Sequence, residues 1–171
     1  LSQAPAGLQG FLSGLEESAL AELVGRSAWL YPVVEIVHVV GFVILVGCIL
    51  VFDLRILGLL RRLPVEDAVA HLTRWARWSL VLVVPSGLVL FMVEATTLAG
   101  NPAFRWKLAF MALAAVNAAL FHGVTWRRAE RGRHAEWSGS GPLPGAARLA
   151  SVGSLLLWFL VLSAGTLIPY A

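Results

Sequence analysis

Charge is scarce in this chain. Asp, Glu, Lys and Arg make up 13% of its 171 residues while apolar types make up 58%, and an ordinary globular domain carries roughly 25% charged residues. A soluble protein of this size cannot cover its surface with so few polar groups, so soluble globular, disordered and fibrous classes are excluded. Cysteine is nearly absent. Cys48 alone excludes a disulfide framework and any cysteine-rich metal knuckle. The sequence also has no Gly-rich phosphate loop, no Ser-His-Asp set and no CxxC, which leaves hydrolase and nucleotide-binding functions without support. What is present in quantity is Gly (16) and Trp (7), the usage of a membrane protein. The net charge of +3 is spread between loops. The expected partner is a lipid bilayer and not nucleic acid.

Crossing the hydrocarbon core takes roughly 20 mostly apolar residues. Four stretches are long enough: about 30–52, 75–93, 108–126 and 149–171. None alternates as a barrel strand would. The expected fold is all-α, a four-helix transmembrane bundle over 29–171 preceded by an amphipathic segment over 1–28.

Orientation follows from the cations. Arg55, Arg61, Arg62, Arg74 and Arg77 lie in or beside the first connection, and Arg127, Arg128, Arg131, Arg133 and Arg148 in or beside the third. The second has Arg105 and Lys107, and the N-terminal segment has Arg26. The first and third connections are expected in the cytoplasm and both termini outside, in a bacterial inner membrane. The first 28 residues do not read as a signal peptide, because no basic region precedes an apolar run that Glu16, Glu17 and Glu22 interrupt. Ser13 with Glu16 forms a capping-box pattern. Leu12, Leu15, Ala19 and Leu23 then repeat at helical spacing, so 13–25 reads as one amphipathic helix, lying on the outer membrane surface or docked on its own bundle. The segment 137–145 (WSGSGPLPG) reads as a flexible cytoplasmic loop.

Ionisable groups within apolar spans are costly and mark functional candidates. Glu35 and His38 are three residues apart on one face of the first span, a spacing by which helical bundles present paired metal ligands. The bland alternative is an ion pair between Glu35 and Lys107 or Arg105. Met111 on the third span matches His38 in depth. It offers a second axial ligand for a haem or a soft thioether for copper, in a Glu35, His38 and Met111 site. His122 closes the third span beyond the small residues Ala115 and Ala118, and His71 stands where the second begins. These two could ligate one inner haem, with Arg74, Arg77 and Arg127 near its propionates. Close helix packing along the small residues is the plainer account. Asp53 and Arg55 read as an interfacial anchor.

The pattern Trp29-x-x-Pro32-x-x-Glu35-x-x-His38, then Asp53-Leu54-Arg55, Phe104-x-x-Lys107 and Asn117-x-x-x-Phe121-His122 resembles a family of small bacterial integral membrane proteins known as a four-helix domain of unknown function. The resemblance covers about 30–171. It implies the four-helix fold and meets the family pattern at Glu35, His38, Lys107, Asn117 and His122; His71 lies outside that pattern. More remotely, the architecture is similar to four-helix b-type cytochromes and to membrane copper-handling proteins.

Three functions stay open at this point. One is a haem b protein of electron transfer, working with a quinone or a redox partner protein. The others are copper binding, transport or proton relay at the outward-facing site, and an accessory subunit or homo-oligomer in which the polar groups only lock packing.

Overall fold

The computed structural model describes residues 6–60, 65–126 and 145–171; Arg127, Arg128, Arg131, Arg133 and the loop 137–144 lie outside them. The described residues form helices joined by short turns, without a strand. The elements are α1 (Ala6–Glu16), α2 (Ala19–Arg26), α3 (Leu30–Ile56), α4 (Val65–Val93), α5 (Ala95–Gly100) and α6 (Pro102–Leu120). A π-helical turn (Phe121–Trp126) continues α6, and α7 (Gly145–Leu167) ends in a 3-10 turn (Ile168–Tyr170). Four of them (α3, α4, α6 with the first residues of the π turn, and α7) are long and apolar enough to cross a membrane. Large apolar side chains such as Val33, Ile36, Val43 and Phe159 are more than half exposed. Such a surface is stable against lipid and not against water.

Local chemistry fixes where the spans begin and end. Ser27 Oγ accepts from the amides of Trp29 and Leu30 at 3.4 and 3.1 Å, satisfying the first amide of α3 in the turn that leads into it. Pro32 falls in the first turn, where a missing amide proton costs little. At the far end Gly58 takes φ 86°, and the amides of Gly58 and Leu59 return to the carbonyls of Arg55 and Leu54 at 3.1 and 3.0 Å. This is a Schellman stop, and it carries α3 beyond residue 52, past Asp53 and Arg55. Asn101 caps α6 through Phe104 N at 3.0 Å, with Pro102 at the first helical position.

Side-chain register sets the arrangement. His38 and Gly41 of α3 meet Val83, Ser86 and Gly87 of α4, so these two spans run antiparallel. Gly41 makes the approach possible, because a Cβ there would stand 2.9 Å from Val83 Cγ2 and 3.0 Å from Leu82 Cβ. Asn117 reaches Ala150 and Lys107 lies against Gly165, so α6 and α7 are also antiparallel. Phe42 meets Trp158 edge-on at 5.9 Å, joining α3 to α7. Among the described residues no Cα of α4 comes within 8 Å of one in α6. Those two spans touch through the stacked rings of Phe91 and Phe104 at 5.6 Å. The four-helix set is therefore closed on three sides and open between α4 and α6.

The N-terminal segment departs from the single helix expected over 13–25. It is two helices broken at 17–18. Ser18 is the cap, accepting from Ala21 N, while Ser13 sits inside α1 and donates to Gly10 O. The pair docks on the bundle: Leu12, Ala21 and Val24 are buried, and Glu16 Oε1 accepts from Thr96 N and Oγ1 at 2.8 and 2.7 Å. Phe11 and Leu23 stay more than 60% exposed. The segment thus packs on the protein through one face and keeps a second apolar face open.

Candidate functional site

Two groups of polar side chains lie within the spans, one toward the end that carries both termini and one toward the opposite, loop end.

The first centres on His38. Its Nδ1 lies 3.1 Å from Val83 O and 3.1 Å from Ser86 Oγ. A carbonyl oxygen only accepts, so the bond to Val83 places the proton on Nδ1. Nε2 has no hydrogen-bond partner among the described residues. Ser86 in turn donates to Leu82 O, which occupies its hydroxyl proton beside the missing amide of Pro85. The ring sits on Gly87, where a Cβ would meet His38 Cε1 at 2.8 Å. Lys107 of α6 is close enough to act electrostatically on His38. Its stem lies along Gly165, with Nζ 3.9 Å from where a Cβ would be. One turn further along the same face of α6 is Met111, half-buried like Lys107 and His38.

Glu35 is not joined to this group. It is exposed, and the only ion pair between two described residues is Arg26 with Glu22, so the expected bridge from Glu35 to Lys107 or Arg105 does not form. Spacing puts Glu35 and His38 on roughly one side of α3, but the 300° turned over three residues swings Glu35 off the inward-facing line. No cluster of three or more His, Cys, Asp or Glu occurs among the described residues.

The second group surrounds the far end of α3. His122 is half-buried on the π turn, its ring 5.4 Å from Phe121 and 6.4 Å from Phe52. Arg77 of α4 acts on it electrostatically, while Arg77 itself is exposed and its Nε donates to Thr73 O. His71 and Arg74 are exposed, and no contact among the described residues joins His71 to His122. Arg127 lies outside the described residues.

Asp53 and Arg55 stand apart from the expectation. Instead of anchoring at an interface they are buried, 3% and 6% exposed. Asp53 faces Ser151 and Ser154 of α7. The sequence signal that was passed over is the pair of serines three apart in an apolar helix, matched to an acid in another. Asn101 was also passed over: besides capping α6, its Nδ2 donates to Ile168 O at 2.9 Å. An open apolar groove of about 510 Å³ between α6 and α7, lined by Trp106, Phe110, Leu160 and Tyr170, includes none of the four histidines.

A family model matches residues 16–171, nearly the whole chain and all four spans. The chain belongs to the family of unknown function DUF6644. The match takes in Glu35, His38, Lys107, Asn117 and His122, and it begins before α2. No curated protein and no solved structure matches the chain.

Proposed function

We propose that this member of the family is a haem-binding, cytochrome b-like membrane protein of electron transfer, with His38 as an axial ligand. The observation that carries the reading is the His38–Val83 bond: with Nδ1–H donated to a backbone carbonyl, the ring is held in the tautomer whose Nε2 lone pair is available. Metal-ligating histidines are held in this way. The donor set fits an iron porphyrin better than a copper ion, because Glu35 is exposed and no group of three or more His, Cys, Asp or Glu occurs among the described residues. Met111, one turn from Lys107 on α6, would hold the iron together with His38. Lys107, a cation with no acid partner among the described residues, would neutralise a propionate. Haem, when bound, supplies a reversible one-electron couple. The side left open between α4 and α6 is where a macrocycle would enter. His122 near Arg77, with His71 and Arg74 toward the same loop end, is a second candidate position. The arginine distribution supports an inner-membrane location with both termini outward, where a quinone or a redox protein is the partner.

The test is a reduced-minus-oxidised spectrum of the purified protein after expression with ample haem. A Soret band that is lost in His38→Ala and shifted in Met111→Leu supports the reading; a colourless wild-type protein removes it. The alternative favoured by a specific observation is an accessory subunit. Both His38 and Asn117 hydrogen-bond backbone carbonyls of neighbouring spans, and packing alone accounts for those bonds. That reading expects His38→Ala to weaken the fold with no change in spectrum or bound metal.

A further inference from the structure

The two N-terminal helices lie level with the ends of the spans. Gly25 of α2 sits on Val93, the last residue of α4, where a Cβ would stand 3.1 Å from Cγ1. Glu16 ties α1 to Thr96, just past that end. The first helix packs on α5 and α4, and the second on α4 and α3, so the pair passes around one end of the bundle as a belt. Trp29, Trp106 and Tyr170 stand at this same end and are more than 60% exposed. Such aromatic side chains collect where hydrocarbon meets the headgroups.

Each helix of the belt has three sides. At about 100° per residue, Ala21, Val24 and Gly25 form the side of α2 that packs on the bundle. Glu22 and Arg26 lie roughly 120° around from it in one direction. They form an exposed ion pair at 3.1 Å, and charges of this kind belong in water. Leu20 and Leu23 lie roughly 120° around in the other direction, apolar and exposed. The order repeats in the same sense on α1: from buried Leu12, Gln9 and Ser13 lie one way and exposed Leu8 and Phe11 the other. Protein and water account for two of the sides. The third suits neither, because large apolar side chains are driven out of water. It continues the lipid-facing surface of the spans, since Leu30 and Val33, which follow in α3, are exposed as well.

We infer that α1 and α2 are an interfacial lipid anchor. Leu8, Phe11, Leu20 and Leu23 enter the acyl boundary of the leaflet at the end that carries both termini, while Glu22 and Arg26 stay in water. A helix anchored in this way is immersed by roughly 5–10 Å. The belt is thus held on one side by the bundle and on another by the bilayer. This inference does not depend on haem.

The test uses the full chain in nanodiscs, on a Cys48→Ala background, with one spin label placed at a time through Leu23→Cys, Phe11→Cys or Glu22→Cys. Labels at 23 and 11 are expected to collide several-fold more with oxygen, which concentrates in lipid, than with a water-soluble nickel complex. The label at 22 is expected to show the reverse. Nickel-dominated collisions at 23 and 11 would put the face in water and overturn the inference. So would protection from both reagents, which would put protein there, a second copy or another chain. Should the cysteine variants fail to fold, the unmodified protein carries the test. A photoactivated carbene dissolved in the lipid is then expected to label 8–11 and 20–23, and a segment 6–26 left unlabelled beside labelled spans would equally overturn the inference.

Discussion

His38 of α3 donates its Nδ1 proton to the carbonyl oxygen of Val83 on α4, 3.1 Å away. One bond therefore does two things: it joins the two most closely packed spans and leaves Nε2 as the basic nitrogen. The carbonyl that accepts the proton already serves its own helix, so the bond takes nothing from the backbone ladder. A ligand role and a packing role are both compatible with it, and variants that leave His38 in place separate them.

Gly87→Ala is the first such variant. Its new Cβ would lie 2.8 Å from His38 Cε1, inside van der Waals contact, and the atom met belongs to a ring already tied to Val83. The ring has to swing away or α4 has to retreat from α3. Overpacking of this kind costs about 1–3 kcal/mol, so a clear fall in thermal midpoint is expected. If His38 ligates haem, haem occupancy falls as well, although the ligand residue is unchanged. Absorbance per mole of protein measures this beside the melt. Full haem occupancy in a destabilised variant would assign His38 to packing alone.

Ser86→Ala makes the opposite prediction. It removes one neighbour of Nδ1 but leaves Val83 O as the acceptor, so the tautomer is kept. Side-chain hydrogen bonds between membrane helices contribute about 0.6 kcal/mol, and up to about 1.7. A small loss of stability is expected with cofactor content unchanged. A collapse of either would mean that the hydroxyl, and not the carbonyl, orients the ring.

Glu16→Ala tests the docking of the N-terminal helices. Glu16 holds both the amide and the hydroxyl of Thr96, an attachment between segments eighty residues apart. Its loss should quicken protease cleavage within 6–26 while the spans melt within about 0.5 kcal/mol of wild type, the usual range for a surface change. Unchanged cleavage would show that buried Leu12, Ala21 and Val24 hold the pair without it.

The four spans were legible because length and apolarity are properties of a stretch, and lipid demands both. The positions of His38, Lys107 and Met111 were legible in part, since polar residues in apolar helices are few and helical spacing gives their face. Glu35 was misread: three residues leave 60° of a turn uncompensated, enough to put it on the exposed side. Asp53 was misread for another reason. An acid near a span end reads as interfacial until the Schellman stop at Gly58 is seen to extend α3 past it and Ser151 is found opposite. Pairings between distant spans carry no local signature, and the same gap hid the bond from Asn101 to Ile168. In the N-terminal segment the serine–glutamate spacing was right for a cap at Ser13, but Ser18 offered a second start and the chain broke there.

Asn117→Ala addresses the contact between α6 and α7. Asn117 Nδ2 donates to Ala150 O at 3.0 Å, and its Oδ1 lies 4.0 Å from where a Cβ on Gly153 would stand. The amide thus fills the space that Gly153 leaves and reaches past it to a carbonyl in the first turns of α7. Alanine loses the bond and part of the contact, with an expected cost near 0.6–1.7 kcal/mol. The loss should concentrate at the loop end, because Lys107 against Gly165 and Asn101 bonded to Ile168 hold the other end. Hydrogen exchange is therefore expected to rise in the first turns of α7 and to stay unchanged near Gly165. Ser151, which faces Asp53 of α3, lies on that same stretch of α7, so the rise in exchange should include it. A uniform rise in exchange along α7 would instead show that the two spans separate as one unit.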